Sequence, residues 1–362
     1  MKKRLTILLL LVFVLGGFVY SQSFILVNDS SVRKVHKLSA EDGAVIHSNF
    51  IDLVEVAAGT VKSIIQVNSE IWFGDQLNDK IYRYDLDGNF LSELYGSELG
   101  FDRMRGMNIV NGEVWLTNGG ADNGVPQHTI IRLDTSGNFI GFHPTVNEPF
   151  DVVDGGNGLV YISSYSGSGI GVMNYEGISQ ENLVPSGVFT TLQQMNLTPE
   201  GNLLVAVYLT NTGLYEISTE DGSLIDYYGV PELRGTIAIG NGNYLVSSNN
   251  GVISVDPSTG NTTPIISGIF QYLGLIDSDM NTTDVKLTDI SIYPNPTNGV
   301  FQLNSQDLIQ NVSIFNVNGK KLKQFTENSK NVELAITDLP SGLYILKVQT
   351  QKGVKSLKLI KK

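Results

Sequence analysis

The 362-residue chain contains no cysteine and only four histidines. The absence of cysteine excludes thiol catalysis, zinc–thiolate sites and iron–sulfur ligation, because each of these needs a thiolate. Disulfides are excluded as well, but a chain of this length buries enough apolar surface to fold without them. The chemistry that remains is that of carboxylates, hydroxyls, amides and four imidazoles. The middle of the chain shows no sustained helical periodicity, so strands are expected there.

Long hydrophobic runs are also scarce, and the clearest one stands at the N-terminus. Leu5 to Val19 is nearly all apolar and follows three basic residues. A run of about 15 residues is shorter than the roughly 20 needed to span a bilayer, which argues against the alternative of a membrane anchor. Val19-Tyr20-Ser21 suits a signal peptidase, so residues 1–21 are predicted to be a cleaved signal peptide. No transmembrane segment is expected after that cleavage.

Basic residues are rare in the body of the chain. Residues 22–280 carry 10 Lys and Arg against 30 Asp and Glu, a balance of −20, whereas residues 281–362 carry 11 against 6, a balance of +5. An acidic body repels phosphate backbones, which argues against nucleic acid as a partner. The same acidity keeps an exported protein soluble, so the charge by itself indicates no other partner.

The body repeats a strand, a turn and a strand about every 43 residues, a period typical of solenoids and propellers. The clearest turns are Asp85-Leu86-Asp87-Gly88-Asn89 and Asp134-Thr135-Ser136-Gly137-Asn138. In each turn the first Asp can accept hydrogen bonds from the backbone ahead of it, and the glycine supplies a positive φ. The turn glycines that mark the six copies are Gly43, Gly88, Gly137, Gly177, Gly222 and Gly260.

Two further strands precede each turn, so a full repeat has four strands, the unit of a propeller blade. Residues 24–50 supply three strands without a first one, and residues 272–276 supply a first strand without the other three. Together they complete one shared blade, which predicts an all-β ring of six blades over residues 22–280. A seven-bladed ring is the alternative, and it would need an extra blade within residues 117–127, a segment that is too short for one.

The end of the chain predicts a second, smaller domain over residues 287–362, after a polar linker at residues 281–286. About seven short alternating strands are typical of a small Ig-like β-sandwich. These strands are predicted at residues 289–293, 300–304, 312–316, 320–325, 332–337, 343–350 and 354–360.

Three motifs in this segment are distinctive: Tyr293-Pro294-Asn295-Pro296, Phe315-Asn316-Val317-Asn318-Gly319-Lys320 and Leu339-Pro340-Ser341-Gly342-Leu343-Tyr344. Their order and spacing resemble the type A sorting domain of type IX secretion in Bacteroidota, the Por secretion tail. The resemblance implies that residues 287–362 engage the type IX secretion machinery. It also implies a route through the periplasm to the outer cell surface or the medium.

The blade pattern of the body resembles six-bladed propellers of the NHL, SMP-30 and streptogramin-lyase kind. That resemblance implies a fold and leaves the function open. Metal-dependent lactonases of this kind surround a central cation with carboxylates and an amide. Here the matching layer holds Lys62 and Arg105, with Asp151 as its one carboxylate, so neither a metal nor a cofactor is expected. The Asp85 turn also lacks the later bidentate glutamate of a calcium loop.

Aligned first-strand positions at the mouth of the central channel form a candidate ligand site. Three of six positions in one layer are cationic and can hold a carboxylate or sulfate through charge-assisted hydrogen bonds. We therefore expect an anionic small molecule, a glycan or a peptide on this loop face. The alternative is that the cations pair internally with Asp151, Glu148 or Glu232. The predicted ligand-binding residues are Lys62, Arg105, Asp151, Gln193, Gln194 and Arg234. The loops between the second and third strands add polar and aromatic residues that suit sugar or peptide binding but are also ordinary loop formers: Asp75, Gln76, Asn78, Asn118, Asp122, Asn123, Tyr165, Tyr208, Asn211, Ser248 and Asn249.

No residue is predicted to be catalytic, because the favoured interpretation is a secreted or surface binding module. The alternative is a lyase or hydrolase acting on a small molecule or glycan, in which His128 or His143 serves as the base beside Glu148. Both histidines flank outer strands of the second whole blade and are expected towards the loop face. No G-x-S-x-G elbow, HExxH helix or phosphate loop is present in the sequence.

Overall fold

Strands form nearly all of the regular structure, which confirms the all-β prediction. The computed structural model describes residues 23–167, 169–277, 290–316, 321–350 and 353–362. The predicted signal peptide (1–21) and linker (281–286) lie outside the described residues. The chain divides into two compact units, Met1–Asn281 and Thr282–Lys362.

Five of the six sheets of the first unit, blades 1 to 5, are each formed by consecutive antiparallel strands. Blade 1 contains β4 (Val61–Val67), β5 (Glu70–Asp75), β6 (Lys80–Asp85) and β7 (Phe90–Tyr95), followed by the short helix α1 (Gly96–Leu99). Blade 2 contains β8 (Met107–Val110), β9 (Glu113–Asn118), β10 (Thr129–Leu133) and β11 (Phe139–Pro144). Blade 3 contains β12 (Pro149–Asp154), β13 (Leu159–Ser164) and β14 (Ile170–Asn174). Blade 4 contains β15 (Leu192–Leu197), β16 (Leu203–Val207), β17 (Gly213–Ile217) and β18 (Leu224–Tyr228). Blade 5 contains β19 (Leu233–Ala238), β20 (Tyr244–Ser248), β21 (Gly251–Val255) and β22 (Thr262–Ile266).

The sixth sheet, the closing blade, joins strands from both ends of the unit. Its order is β23 (Phe270–Ile276), β1 (Phe24–Asp29), β2 (Lys34–Ser39) and β3 (Val45–Asp52). The innermost strands contact one another in ring order, β4, β8, β12, β15, β19 and β23, and β23 returns to contact β4. The six-bladed ring with shared-blade closure is therefore confirmed.

Blade 3 differs from the predicted four-strand repeat, because its outer segment is not a regular strand. This outer segment, residues 178–184, pairs with β14 at two isolated bridges, Ile170 to Val184 and Met173 to Ser179. The backbone N–H groups of Gln180 and Leu183 donate to β14, whereas Glu181 and Asn182 lie between them. Between the two bridges the outer segment advances by five residues while β14 advances by three, so the pairing loses its register and the ladder is interrupted.

A Trp–Glu–Arg group recurs in blades 1 and 2 and connects neighbouring strands through side-chain hydrogen bonds. The Trp72 indole N–H donates to Glu70 at 2.8 Å, and the Arg83 guanidinium donates to both carboxylate oxygens of Glu70 at 2.7 and 2.8 Å. Trp115, Glu113 and Arg132 make the same set of contacts in the next blade. The fork of an arginine fits a carboxylate in two places, so each group fixes one cross-strand register.

The C-terminal unit has five strands in its described residues, not seven. They are β24 (Ser291–Tyr293), β25 (Val300–Phe315), β26 (Lys321–Ala335), β27 (Gly342–Thr350) and β28 (Gly353–Lys361). Two pairs of predicted short strands are joined into the long strands β25 and β26. Register shifts between Asn304 and Asn311 bend the ladder without ending it. The bent sheet encloses its own apolar core, which includes Phe301, Ile314 and Leu346, in a sandwich-like arrangement.

Close packing where the ring closes generates a stability prediction. A Cβ added at Gly274 on β23 would lie 2.4 Å from the carbonyl oxygen of Ile64 on β4, in the adjacent blade. Gly274→Ala should therefore lower the free energy of unfolding by about 1–3 kcal/mol, as overpacking usually does.

Gly141→Ala is the matched control, because Gly141 lies on the outer strand β11 with nothing within 4 Å of an added Cβ. Its unfolding free energy should stay within about 0.5 kcal/mol of the wild type. The free energy of unfolding of both variants is measured by urea denaturation. Equal stability of the two would contradict tight contact between β23 and β4.

Candidate functional site

Side chains from blades 1 to 5 surround a cavity of about 370 Å³, which we call the mouth cavity. Of the six predicted ligand-binding residues, four line it and two do not. The lining residues are Lys62, Gln76, Arg105, Glu148, Phe150, Tyr165, Gln193, Tyr208 and Arg234.

β-Bulges bring many of these side chains to the same level. In blade 1 the pairing of β4 with β5 shifts register between Val61 and Ser63, and the innermost strands of blades 3, 4 and 5 shift register in the same way against their neighbours. The extra residues at these shifts include Lys62, Phe150, Gln193 and Arg234. A bulge re-aims a side chain that regular pleating would send elsewhere, which explains why one layer of positions converges.

Lys62 is almost completely enclosed, with 5% of its surface exposed. Its ammonium group donates to the Oε1 atom of Gln193 at 3.3 Å and lies 5.1 Å from the ring centre of Phe150. Burial holds the pKa of Lys62 well below its ordinary value, and the positive charges of Arg234 and Arg105 lower this pKa further. The site therefore disfavours a charge on Lys62 unless an anion is present.

Arg105 lies between Phe150 and the backbone of blade 3. Its guanidinium carbon is 4.4 Å from the Phe150 ring centre, and its Nη1 atom donates to the carbonyl of Pro149 at 3.5 Å. The buried Nε atom has no hydrogen-bond partner among the described residues. Burial lowers the pKa of Arg105, and the charge of Glu148 offsets part of this effect.

Arg234 completes the cationic group from blade 5. Its Nε atom donates to Asn249 at 2.9 Å, and its guanidinium carbon lies 4.1 Å from the ring centre of Tyr208. Across the part of the chain that the structure describes, Lys62, Arg105 and Arg234 form no ion pair within 4 Å. The alternative, in which these cations pair with Asp151, Glu148 or Glu232, is therefore not observed.

Asp151 and Gln194 lie elsewhere, among the residues that line a second cavity of about 540 Å³. The Gln194 side chain donates to the Leu273 carbonyl at 2.7 Å, and its oxygen accepts from the backbone N–H groups of Thr236 and Leu273. It thereby ties blade 4 to blade 5 and to the closing blade. Asp151 accepts from the Met195 backbone at 2.8 Å. Both side chains are engaged in contacts between blades.

Of the alternative catalytic group, His128 contacts the backbone of Glu148, whereas neither histidine lines the mouth cavity. The His128 ring accepts the backbone N–H of Glu148 at 2.9 Å, which leaves its Nδ1 atom occupied. His143 is on the outer strand β11, where its ring lies 5.4 Å from that of Trp115 and its Nε2 atom is 3.3 Å from Arg132. On that strand His143 pairs with Ile130, and it is not among the residues that line the mouth cavity.

Tyr272 is a neighbour of the mouth cavity that the sequence alignment of the blades misses. The ring centre of Tyr272 lies 5.7 Å from the Lys62 ammonium. The pairing of β23 with β1 shifts register between Val27 and Asp29, and Tyr272 lies in the matching segment of β23, between Phe270 and Leu273. No signal in the sequence reveals this shift.

No helix in the described ranges is long and apolar enough to cross a membrane. No group of three or more His, Asp or Glu side chains in the same ranges is arranged to hold a metal ion.

Residues 291–362 match the family model of the secretion system C-terminal sorting domain, the Por secretion tail. The C-terminal unit is a type IX secretion sorting domain. A sorting domain of this kind directs its chain to the type IX machinery, so the protein is exported to the cell surface or secreted.

Solved structures resemble the propeller that precedes the sorting domain. A protein of unknown function from Bacteroides caccae superimposes with a TM-score of 0.53 at 14% identity, covering 71% of this chain and 99% of its own. A chain in the nidogen/laminin complex gives 0.57 at 12% identity, covering 70% and 98%. A streptogramin B lyase gives 0.43 at 13% identity, covering 93% and 98%. The first two support the fold alone. No curated protein sequence matches the chain.

The burial of Asp151 generates a prediction about pH. Burial raises the pKa of Asp151 to about 8, above the ordinary value of about 4 in an unfolded chain. Between these values the folded protein binds a proton that the unfolded chain has released. The stability that this group contributes is therefore present below about pH 4 and falls as the pH rises towards 8, by up to about 1.4 kcal/mol per unit.

Asp151→Asn mimics the protonated carboxyl group, so the variant should not show the loss of folding stability that Asp151 causes as the pH rises. Urea unfolding of both proteins at pH 5 and pH 7.5 tests it, because other titrating groups are common to the two. The stability of the variant relative to the wild type should increase with pH. Parallel pH profiles would show that Asp151 is ionised in the folded protein.

Proposed function

We propose that the exported propeller is a binding module that captures a small anionic ligand in its mouth cavity. The observation that carries this proposal is the group of Lys62, Arg105 and Arg234, which line one cavity without an ion pair within 4 Å among the described residues. Burying a cation without a counter-charge is costly. A bound carboxylate or sulfate offsets that cost through charge-assisted hydrogen bonds.

The walls of the cavity favour a ligand that carries a ring or another flat group. The Phe150 and Tyr165 rings stack at 4.8 Å with an interplanar angle of 20°. The Tyr208 hydroxyl accepts a hydrogen bond from the side-chain amide of Asn249 at 3.0 Å, which fixes the orientation of its ring. The amides of Gln76 and Gln193 add neutral hydrogen-bonding groups. Acidic sugars such as uronates combine a carboxylate with hydroxyl groups and a ring, so they suit this lining.

Binding is a better-supported function than lyase or hydrolase chemistry. A general base must lie within hydrogen-bond reach of its substrate, or one water away. His143 packs on Trp115 on an outer strand, and His128 accepts a backbone hydrogen bond through Nδ1. Of the three residues in the catalytic alternative, only Glu148 lines the mouth cavity.

Thermal unfolding with added anions tests the proposal. A ligand that binds only the folded protein stabilises it by about 2.7 kcal/mol at 100 times its Kd. For a propeller of this size the Tm should then rise by about 5 °C or more. Sulfate and glucuronate should raise the Tm, and neutral glucose should not. Ionic strength is held constant, because added salt alone stabilises an acidic protein by screening.

Two double variants supply the control. Arg105→Gln with Arg234→Gln should abolish the rise. Arg33→Gln with Arg103→Gln removes the same charge from exposed positions that do not line the mouth cavity and should keep the rise. Equal shifts in the wild type and both variants would contradict the proposal, because the effect would then be general ion binding.

A further inference from the structure

The amine of Lys62 combines deep burial with neutral contacts. Lys37, which contacts two aromatic rings, and Lys321, which donates to Gln324, are more exposed than Lys62. Lys34, Lys80 and Lys323 each pair with a carboxylate, and Lys361 donates to two backbone carbonyls. Lys62 contacts one neutral amide oxygen and two aromatic rings, although it is among the most buried lysines. Its amine therefore lines a cavity in which no carboxylate of the described residues pairs with it within 4 Å.

This environment favours the neutral, nucleophilic form of the amine. Desolvation and the nearby positive charges of Arg234 and Arg105 both lower the pKa of Lys62, with burial as the larger cause. A lysine that is desolvated or placed beside another cation is the usual amine that forms Schiff bases with carbonyl compounds. The mouth cavity supplies both conditions at once.

We propose that Lys62 forms a reversible imine with small aldehydes or ketones that also carry a carboxylate, such as 2-oxo acids. This inference rests on the proposed capture of anions in the mouth cavity. The nitrogen lone pair attacks the carbonyl carbon and forms a C–N bond, and the carbonyl oxygen takes up a proton. The nitrogen then gives up its protons as the oxygen leaves as water, so one amine and one carbonyl yield one imine and one water. No electrons are gained or lost.

The carboxylate requirement follows from the arginines that share the cavity. Arg105 and Lys62 both lie against the Phe150 ring, at 4.4 and 5.1 Å from its centre. Arg105 lines the same cavity as Lys62, so its guanidinium group can donate a charge-assisted hydrogen bond to a carboxylate bound there. Glu148 lines the same cavity and is a group that can carry the protons of the addition and dehydration steps.

Borohydride trapping tests the imine. Purified protein is treated with pyruvate and sodium borohydride, and the reduced adduct is located by peptide mass spectrometry. Lactate, which lacks the carbonyl, and acetone, which lacks the carboxylate, are the matched probes. We expect about tenfold more adduct at Lys62 than at Lys80, whose ammonium pairs with Glu93. Lys62→Arg keeps a long basic side chain but has no primary amine and cannot form an imine, so the Lys62 adduct should vanish. Lys80→Arg should leave it unchanged.

The outcomes separate this inference from the proposed function. Adduct at Lys62 with pyruvate, and about tenfold less with acetone, supports it. Equal Tm shifts from pyruvate and lactate without any Lys62 adduct would overturn the imine but leave anion capture intact. Equal labelling by acetone and pyruvate would overturn the carboxylate requirement. No adduct and no Tm shift with any anion would overturn both. Thermal unfolding of Lys62→Arg shows whether that variant is folded.

Discussion

The antiparallel pairing of β1 with β23 is the constraint on which the rest of the propeller depends. It joins the two ends of the unit, with Phe24 opposite Ile276 and Val27 opposite Leu273, into one blade. This closure places the innermost strands in a ring and leaves no unpaired strand at the joint. The mouth cavity draws its lining from five blades, so its geometry exists only while the ring is closed.

Inside the ring, polar side chains connect neighbouring blades, and the cations of the mouth cavity are left without a counter-charge among the described residues. Gln194 bonds the backbone of two other blades, and Asp151 bonds that of β15. These side chains are engaged, so they contribute no counter-charge to Lys62, Arg105 and Arg234. The acidic propeller thus carries a small cationic site between its blades, where low solvent exposure strengthens the attraction of a bound anion.

The blade number and the convergence of the cations could be predicted from the sequence, because turn glycines and the incomplete blade at each end mark the repeat. Lys62, Gln193 and Arg234 fall in one layer of the aligned blades for the same reason. The roles of Gln194 and Asp151 could not be predicted, since they depend on which backbone groups of other blades lie opposite. The position of His143 depends likewise on its packing against Trp115, and Tyr272 enters through a register shift that no residue pattern marks.

The most direct measurement is a crystal structure of the propeller grown with sulfate or glucuronate present. An anion bound in the mouth cavity, within hydrogen-bond distance of Lys62, Arg105 and Arg234 together, is the predicted result. Guanidinium groups of Arg105 and Arg234 turned towards Glu148 and Glu232, with only water between the blades at saturating anion, would contradict anion capture. That result would make the cationic group an internal part of the fold.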